Sequence, residues 1–127
     1  MSPRVLVIDD DDAIRRTIAS SLARWGFDVA TANDGAPALR IAEVATPDLV
    51  VVDYHMPTGG LSVVRALKQR HGSAIYVAVL TGEDDPSTRE ICRDAGADAV
   101  LAKPISPSEL RRVLTAAAVA LDATPAA

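Results

Sequence analysis

Carboxylates gather in this sequence directly behind apolar runs. Val5-Leu6-Val7-Ile8 leads into four successive aspartates, Asp9 to Asp12, and Leu49-Val50-Val51-Val52 leads into Asp53. A third run, Tyr76 to Leu80, ends at Thr81, and a fourth, Ala99 to Ala102, ends at Lys103-Pro104. Asp9, Asp10 and Asp53 brought to one place would repel one another and must take up either protons or a cation. Hard oxygen ligands of this kind suit octahedral Mg²⁺, or Mn²⁺, with several waters retained. A carboxylate beside such a cation is a competent nucleophile towards phosphorus, provided other groups neutralise the oxygens of the transferring phosphoryl. Lys103 offers an ammonium and Thr81 a hydroxyl donor. These are the parts of a phosphoryl-transfer site whose product is an aspartyl phosphate.

The elements that would position these groups follow from the spacing. Strands are expected over Arg4–Ile8, Asp28–Ala32, Leu49–Val52, Tyr76–Leu80 and Ala99–Ala102, rich in Val, Ile and Leu as strands covered on both faces should be. A helical stretch follows each, and this alternation predicts an α/β fold, a doubly wound five-stranded parallel sheet with helices on both faces. Ligands of such sheets bind beyond the carboxyl ends of the strands, near the point where strand order reverses. Four of the five strands deliver a polar or charged group there.

Helix boundaries are marked as well. Ile14, Ile18, Leu22 and Trp25 form a helical stripe ending before Gly26, with Asp12 placed to cap it. Asp85-Pro86 and Ser106-Pro107 each put a capping side chain before a proline at the first helical position, and Ser106 with Glu109 spells a capping box. Leu110, Val113, Leu114 and Leu121 supply the last helix with its apolar stripe, and Gly72 and Gly96 read as helix stops. Residues 1–121 read as one domain, with 122–127 a frayed tail or the start of a linker.

Composition narrows the function further. A length of 127 residues with 49% hydrophobic and 24% charged residues is that of a single globular domain. No apolar run approaches the length of a bilayer span and no signal peptide is evident, so the expected location is the cytoplasm, with no membrane association. The single Cys92 excludes an internal disulfide and reads as a buried small hydrophobe. A net charge of −4 argues against direct nucleic acid binding. Of thirteen basic residues two are lysine, Lys68 and Lys103, and eleven are arginine. A chain that writes arginine so freely keeps lysine where the two are not interchangeable.

Taken together, Val5-Leu6-Val7-Ile8-Asp9-Asp10-Asp11, Val51-Val52-Asp53-Tyr54-His55-Met56-Pro57, Val79-Leu80-Thr81-Gly82 and Ala102-Lys103-Pro104 resemble the receiver domains of two-component response regulators. The resemblance covers nearly the whole chain. It implies a flavodoxin-like strand order of 2-1-3-4-5, with Asp53 as phosphoacceptor and Asp10 as a direct metal ligand. Asp9 would help through water, and the backbone carbonyl of His55 would be a further ligand. Thr81 would move onto the phosphoryl, and Lys103 would contact it across a cis peptide to Pro104. Asn33-Asp34-Gly35 resembles the family's turn into the second helix. The implied partners are a sensor histidine kinase or a histidine phosphotransfer protein, and a downstream protein or fused output domain. Two departures stand out. Val100 occupies a position that is commonly aromatic, and Thr58-Gly59-Gly60-Leu61 is one residue shorter than the common loop and lacks its acid.

Other readings compete with this one. Asp11 is expected to be exposed, and Arg15, Arg16, Arg111 and Arg112 to lie on solvated helix faces. Trp25 and Met56 are expected to pack, and the His55 side chain to face solvent. The chain could be a receiver cut from a hybrid sensor kinase or a longer regulator. A Mg²⁺-dependent phosphatase of the haloacid-dehalogenase type also uses an aspartyl nucleophile, but wants an acid two residues on, where this chain has His55. A nucleotide- or flavin-binding module wants a glycine-rich phosphate loop after the first strand, where this chain places aspartates that would repel a phosphate.

Overall fold

The computed structural model describes residues 2–83 and 85–121, so the expected tail at 122–127 lies outside the described residues. Five strands, β1 (Arg4–Ile8), β2 (Asp28–Ala32), β3 (Leu49–Asp53), β4 (Tyr76–Thr81) and β5 (Ala99–Ala102), form one parallel sheet in the order β2-β1-β3-β4-β5. The helices are α1 (Asp12–Arg24), α2 (Gly35–Val44), α3 (Gly60–His71), α4 (Pro86–Ala95) and α5 (Pro107–Ala120). Strand order reverses between β1 and β3, the neighbours that carry Asp9 and Asp53.

Alternation along the strands divides the core. Leu6, Ile8, Val50, Val52, Val77 and Val79 pack with residues of α2, α3 and α4 on one face. Val5, Val7, Leu49, Val51, Ala78 and Leu80 pack with Ile18 and Leu22 of α1 and with Leu110 and Leu114 of α5 on the other. Val100, at the commonly aromatic position, lies buried in the first of these clusters, and Cys92 is fully buried there as a small hydrophobe. Burial pushes the Cys92 thiol pKa up.

The helix ends are mostly where the capping residues put them. Asp85 accepts the Thr88 amide, Ser106 accepts the Glu109 amide, and Gly96 closes α4 in the left-handed region at φ 113°. The expected cap of α1 is corrected. Asp11, extended at φ −81° and ψ 113°, accepts the Ile14 amide, whereas Asp12 is already helical and pairs with Arg15 at 2.6 Å. Adjacent aspartates are equally able caps, and the backbone decides between them. Ile14 is also less buried than the stripe implies, at 37% exposure. It borders a hollow of about 470 Å³ that Lys103, Pro104 and Ile105 also line.

Lys68, one of the two lysines, belongs to the fold. Its ammonium lies 2.6 Å from Asp98 and 2.7 Å from the Ile75 carbonyl, and Asp98 also accepts the Val77 amide. This ties α3 to the amino ends of β4 and β5, opposite the edge that carries Asp53. Lys68→Met should therefore destabilise the domain by about 1–2 kcal/mol, since the pair is only partly buried. That corresponds to a Tm lower by roughly 4–8 °C in thermal denaturation, with cation affinity at the other edge unchanged. An unaltered Tm would show the tie to be idle.

Candidate functional site at the carboxyl edge of the sheet

Register brings the site residues level. Ile8 pairs with Val52, so Asp9 and Asp53 follow side by side. Asp53 pairs with Leu80 and Thr81 with Ala102, which puts Thr81 and Lys103 each one step further on. The pleat that turns Val5, Val7 and Val51 towards α1 and α5 continues to Asp9 and Asp53. Both aspartates are buried, at 2% and 4% exposure, while Asp10 is exposed at the rim.

Carboxylate oxygens of Asp9, Asp10 and Asp53 lie within 4.8 Å of one another. The Lys103 ammonium donates to Asp53 Oδ1 at 2.7 Å and stands 4.0 Å from Asp9 Oδ2. One ammonium thus stands beside two of the three carboxylates. Asp9 Oδ1 accepts the Asp11 amide, but Asp9 Oδ2 is buried without a hydrogen-bond partner among the described residues. Burial pushes the Asp9 carboxyl above its usual pKa. The Asp53 and Asp10 charges add to that, and the Asp11 amide and Lys103 oppose it. An orphaned carboxylate oxygen among clustered acids is a fitting donor for a hard divalent cation, so the residues present suit Mg²⁺.

Space at the end of β3 is equally confined. A Cβ on Gly60 would stand 2.3 Å from the Asp53 carbonyl oxygen and 3.1 Å from Tyr54 Cα, so only glycine lets α3 begin this close to β3. The intervening turn is closed by Gly59 N–H donating to Met56 and Gly60 N–H donating to Tyr54. Met56 packs as expected, at 8% exposure.

Thr81 is fully buried, and its hydroxyl accepts the Glu83 amide at 2.9 Å. The His55 imidazole is exposed, as expected, but pairs with Glu83 at 3.1 Å across the two loops. The Lys103-Pro104 peptide is cis, as the resemblance implies.

One group escaped the sequence reading. Arg15 is not a solvated helix residue: its side chain is 14% exposed and its guanidinium donates to the Asp9 carbonyl at 2.9 Å, bracing the backbone behind the cluster. Arg111 is exposed, as expected, and lies over the Trp25 ring at 5.6 Å, at the end of α1 remote from the site. The i, i+3 spacing of Asp12 and Arg15 signals their ion pair but not the bond to the Asp9 carbonyl.

The sequence profile of the response regulator receiver domain matches residues 5–115. The chain belongs to this family. The transcriptional regulatory protein PrrA of Mycobacterium tuberculosis is 44% identical over 110 residues, covering 86% of this chain and 47% of PrrA. PhoP of Bacillus subtilis, an alkaline phosphatase synthesis transcriptional regulatory protein, is 36% identical over 111 residues, covering 87% of this chain and 46% of PhoP. The receiver chain therefore spans about half the length of the curated relatives it matches. Among solved structures, the chemotaxis protein CheY4 of Vibrio cholerae superimposes with a TM-score of 0.87 at 30% identity, covering 92% of this chain and 99% of CheY4. A CheY-like receiver from Methanospirillum hungatei reaches 0.90 at 23% identity over 96% and 98% of the two chains, a likeness of fold. Membership of this family replaces the phosphatase and flavin-module readings. Among the described residues no helix is long and apolar enough to cross a membrane.

Proposed function

We propose that this receiver domain takes a phosphoryl group onto Asp53 from a phosphohistidine donor, a sensor histidine kinase or a histidine phosphotransfer protein, in a Mg²⁺-dependent reaction. The observation that carries this reading is the buried Asp53 carboxylate, which has Lys103 at 2.7 Å and Asp9 and Asp10 oxygens within 4.8 Å. An Asp53 oxygen attacks phosphorus, the P–N bond breaks, and its electron pair returns to the imidazole. Lys103 transfers its ion pair from the carboxylate to a phosphoryl oxygen as charge moves outward. Asp9, Asp10, Asp53 and the His55 carbonyl would hold the cation, which when bound neutralises charge on the phosphoryl oxygens.

Signal follows from what each group must give up. To donate to a phosphoryl oxygen the Thr81 hydroxyl must turn its hydrogen away from the Glu83 carbonyl, now at 3.4 Å, so the β4–α4 loop changes partners when Asp53 is modified. Val100, buried and without a ring to swing, leaves that exchange as the local trigger. Residues 1–121 make up the module and 122–127 a tail or linker. The module works in the cytoplasm on a downstream protein or a fused output domain, turns over no external substrate, and contacts no nucleic acid itself.

Cation binding tests the site directly. Titration of the chain with Mg²⁺, followed through the amide shifts of Asp9, Asp10 and Asp53, should saturate. Trp25 is a poor reporter because it sits at the far end of α1. Asp10→Ala should weaken the affinity at least about tenfold, the loss ordinarily caused even by removing a group that only orients a ligand. An unchanged affinity in that variant removes Asp10 from the site.

A further inference from the structure

The loop between β3 and α3 carries the His55 carbonyl, yet its outer half has little to hold it. Gly59, at φ 81°, precedes α3 at the N-cap position and supplies no side-chain cap. Ser62 instead turns its hydroxyl back onto the Thr58 and Gly59 carbonyls, a contact internal to the loop and its own helix. Inner anchors exist: the Tyr54 amide donates to Leu80, and Met56 is sunk in the core. Across Pro57, Thr58 and Gly59, the hydrogen bond to a separate element among the described residues runs from the Thr58 hydroxyl to Asp34.

Asp34 is a firm anchor. It caps α2 by accepting the Gly35 amide at 2.8 Å, and the Thr58 hydroxyl first, then that amide, hold its carboxyl below the usual pKa range. Gly35 is buried against α3, where an added Cβ would stand 2.7 Å from Val63 Cγ2. The first turn of α2 is thus fixed to the helix that the loop enters, and Thr58 ties the loop to that fixed point.

We propose that Thr58, held by Asp34, is a positioning residue for the cation site: its hydroxyl fixes the path of the short β3–α3 loop and thereby the backbone ligand at His55. The inference rests on the cation reading given above. A loop freed at Thr58 must be ordered when the cation binds, and that ordering subtracts from affinity. Nothing in the role requires Thr58 to touch the cation or the phosphoryl.

The test is a Mg²⁺ titration of the whole chain by amide shifts, with Thr58→Val and Thr58→Ser beside the parent and Asp10→Ala as the control for site loss. Thr58→Val keeps the shape and removes the donor, so affinity should fall about three- to tenfold, in keeping with the net worth of one ordinary hydrogen bond. Thr58→Ser keeps the donor and should stay close to the parent. Thermal denaturation of each variant, without added cation, separates loop positioning from general destabilisation. Parent-like affinity in Thr58→Val, or an equal loss in Thr58→Ser, would overturn the proposal. If the parent itself bound no Mg²⁺, the cation reading would fail first and the inference with it. Binding in the parent with no effect at Thr58 would remove the inference alone.

Discussion

Lys103→Arg should accept a phosphoryl group almost as poorly as Lys103→Met, both about a hundredfold slower than the parent with a small phosphodonor and Mg²⁺. The expectation rests first on composition: eleven of thirteen basic residues are arginine, so a lysine at the end of β5 marks a place where a guanidinium does not serve. Geometry gives the reason. The Lys103 ammonium reaches back across the end of β4 to stand 2.7 Å from Asp53 and 4.0 Å from Asp9, between two carboxylates that are almost wholly buried. A compact cation with three rotatable donors fits between such groups and can follow the charge onto a phosphoryl oxygen. A planar fork needs a bidentate partner and more room.

Removing the ammonium also removes the positive charge that stands beside Asp53 and Asp9. Cation affinity should therefore be kept or raised in Lys103→Met, which separates this defect from that of Asp10→Ala. Initial rates of phosphorylation alongside Mg²⁺ titrations of both variants check the claim. A parent-like rate in Lys103→Arg would leave only a generic need for positive charge.

The sheet and the residues gathered at its carboxyl edge were legible because the same feature reports both. Each apolar run that makes a strand stops at the residue presented on the carboxyl edge, so Asp53, Thr81 and Lys103 were marked by where Val, Leu and Ala gave out. The strand ends shifted by one residue at β3 and β4, where Asp53 and Thr81 are themselves within the ladder. Strand order came from family resemblance, since periodicity alone does not rank neighbours.

What sequence could not show were contacts made through backbone or across long separations. Arg15 reaches a carbonyl oxygen, which every residue possesses, so nothing in the neighbouring residue types announces it. Thr58 and Asp34 are 24 positions apart, and their partnership depends on how α2 and α3 pack. The choice of Asp11 over Asp12 as helix cap turned on one pair of dihedral angles among four like residues.

Phosphorylation at Asp53 is the claim on which the rest depends. Asp53 is the buried acid nearest Lys103, and it stands where β3 meets the turn that Gly60 keeps open. Asparagine there keeps the shape but is no nucleophile towards phosphorus, so Asp53→Asn should fold and lose the reaction entirely. Intact-mass analysis after incubation with a small-molecule phosphodonor and Mg²⁺ is the direct measurement. The parent should gain one phosphoryl group, stable to acid and labile to base, and Asp53→Asn should gain none. The same modification in Asp53→Asn, or an acid-labile adduct in the parent, would contradict the assignment.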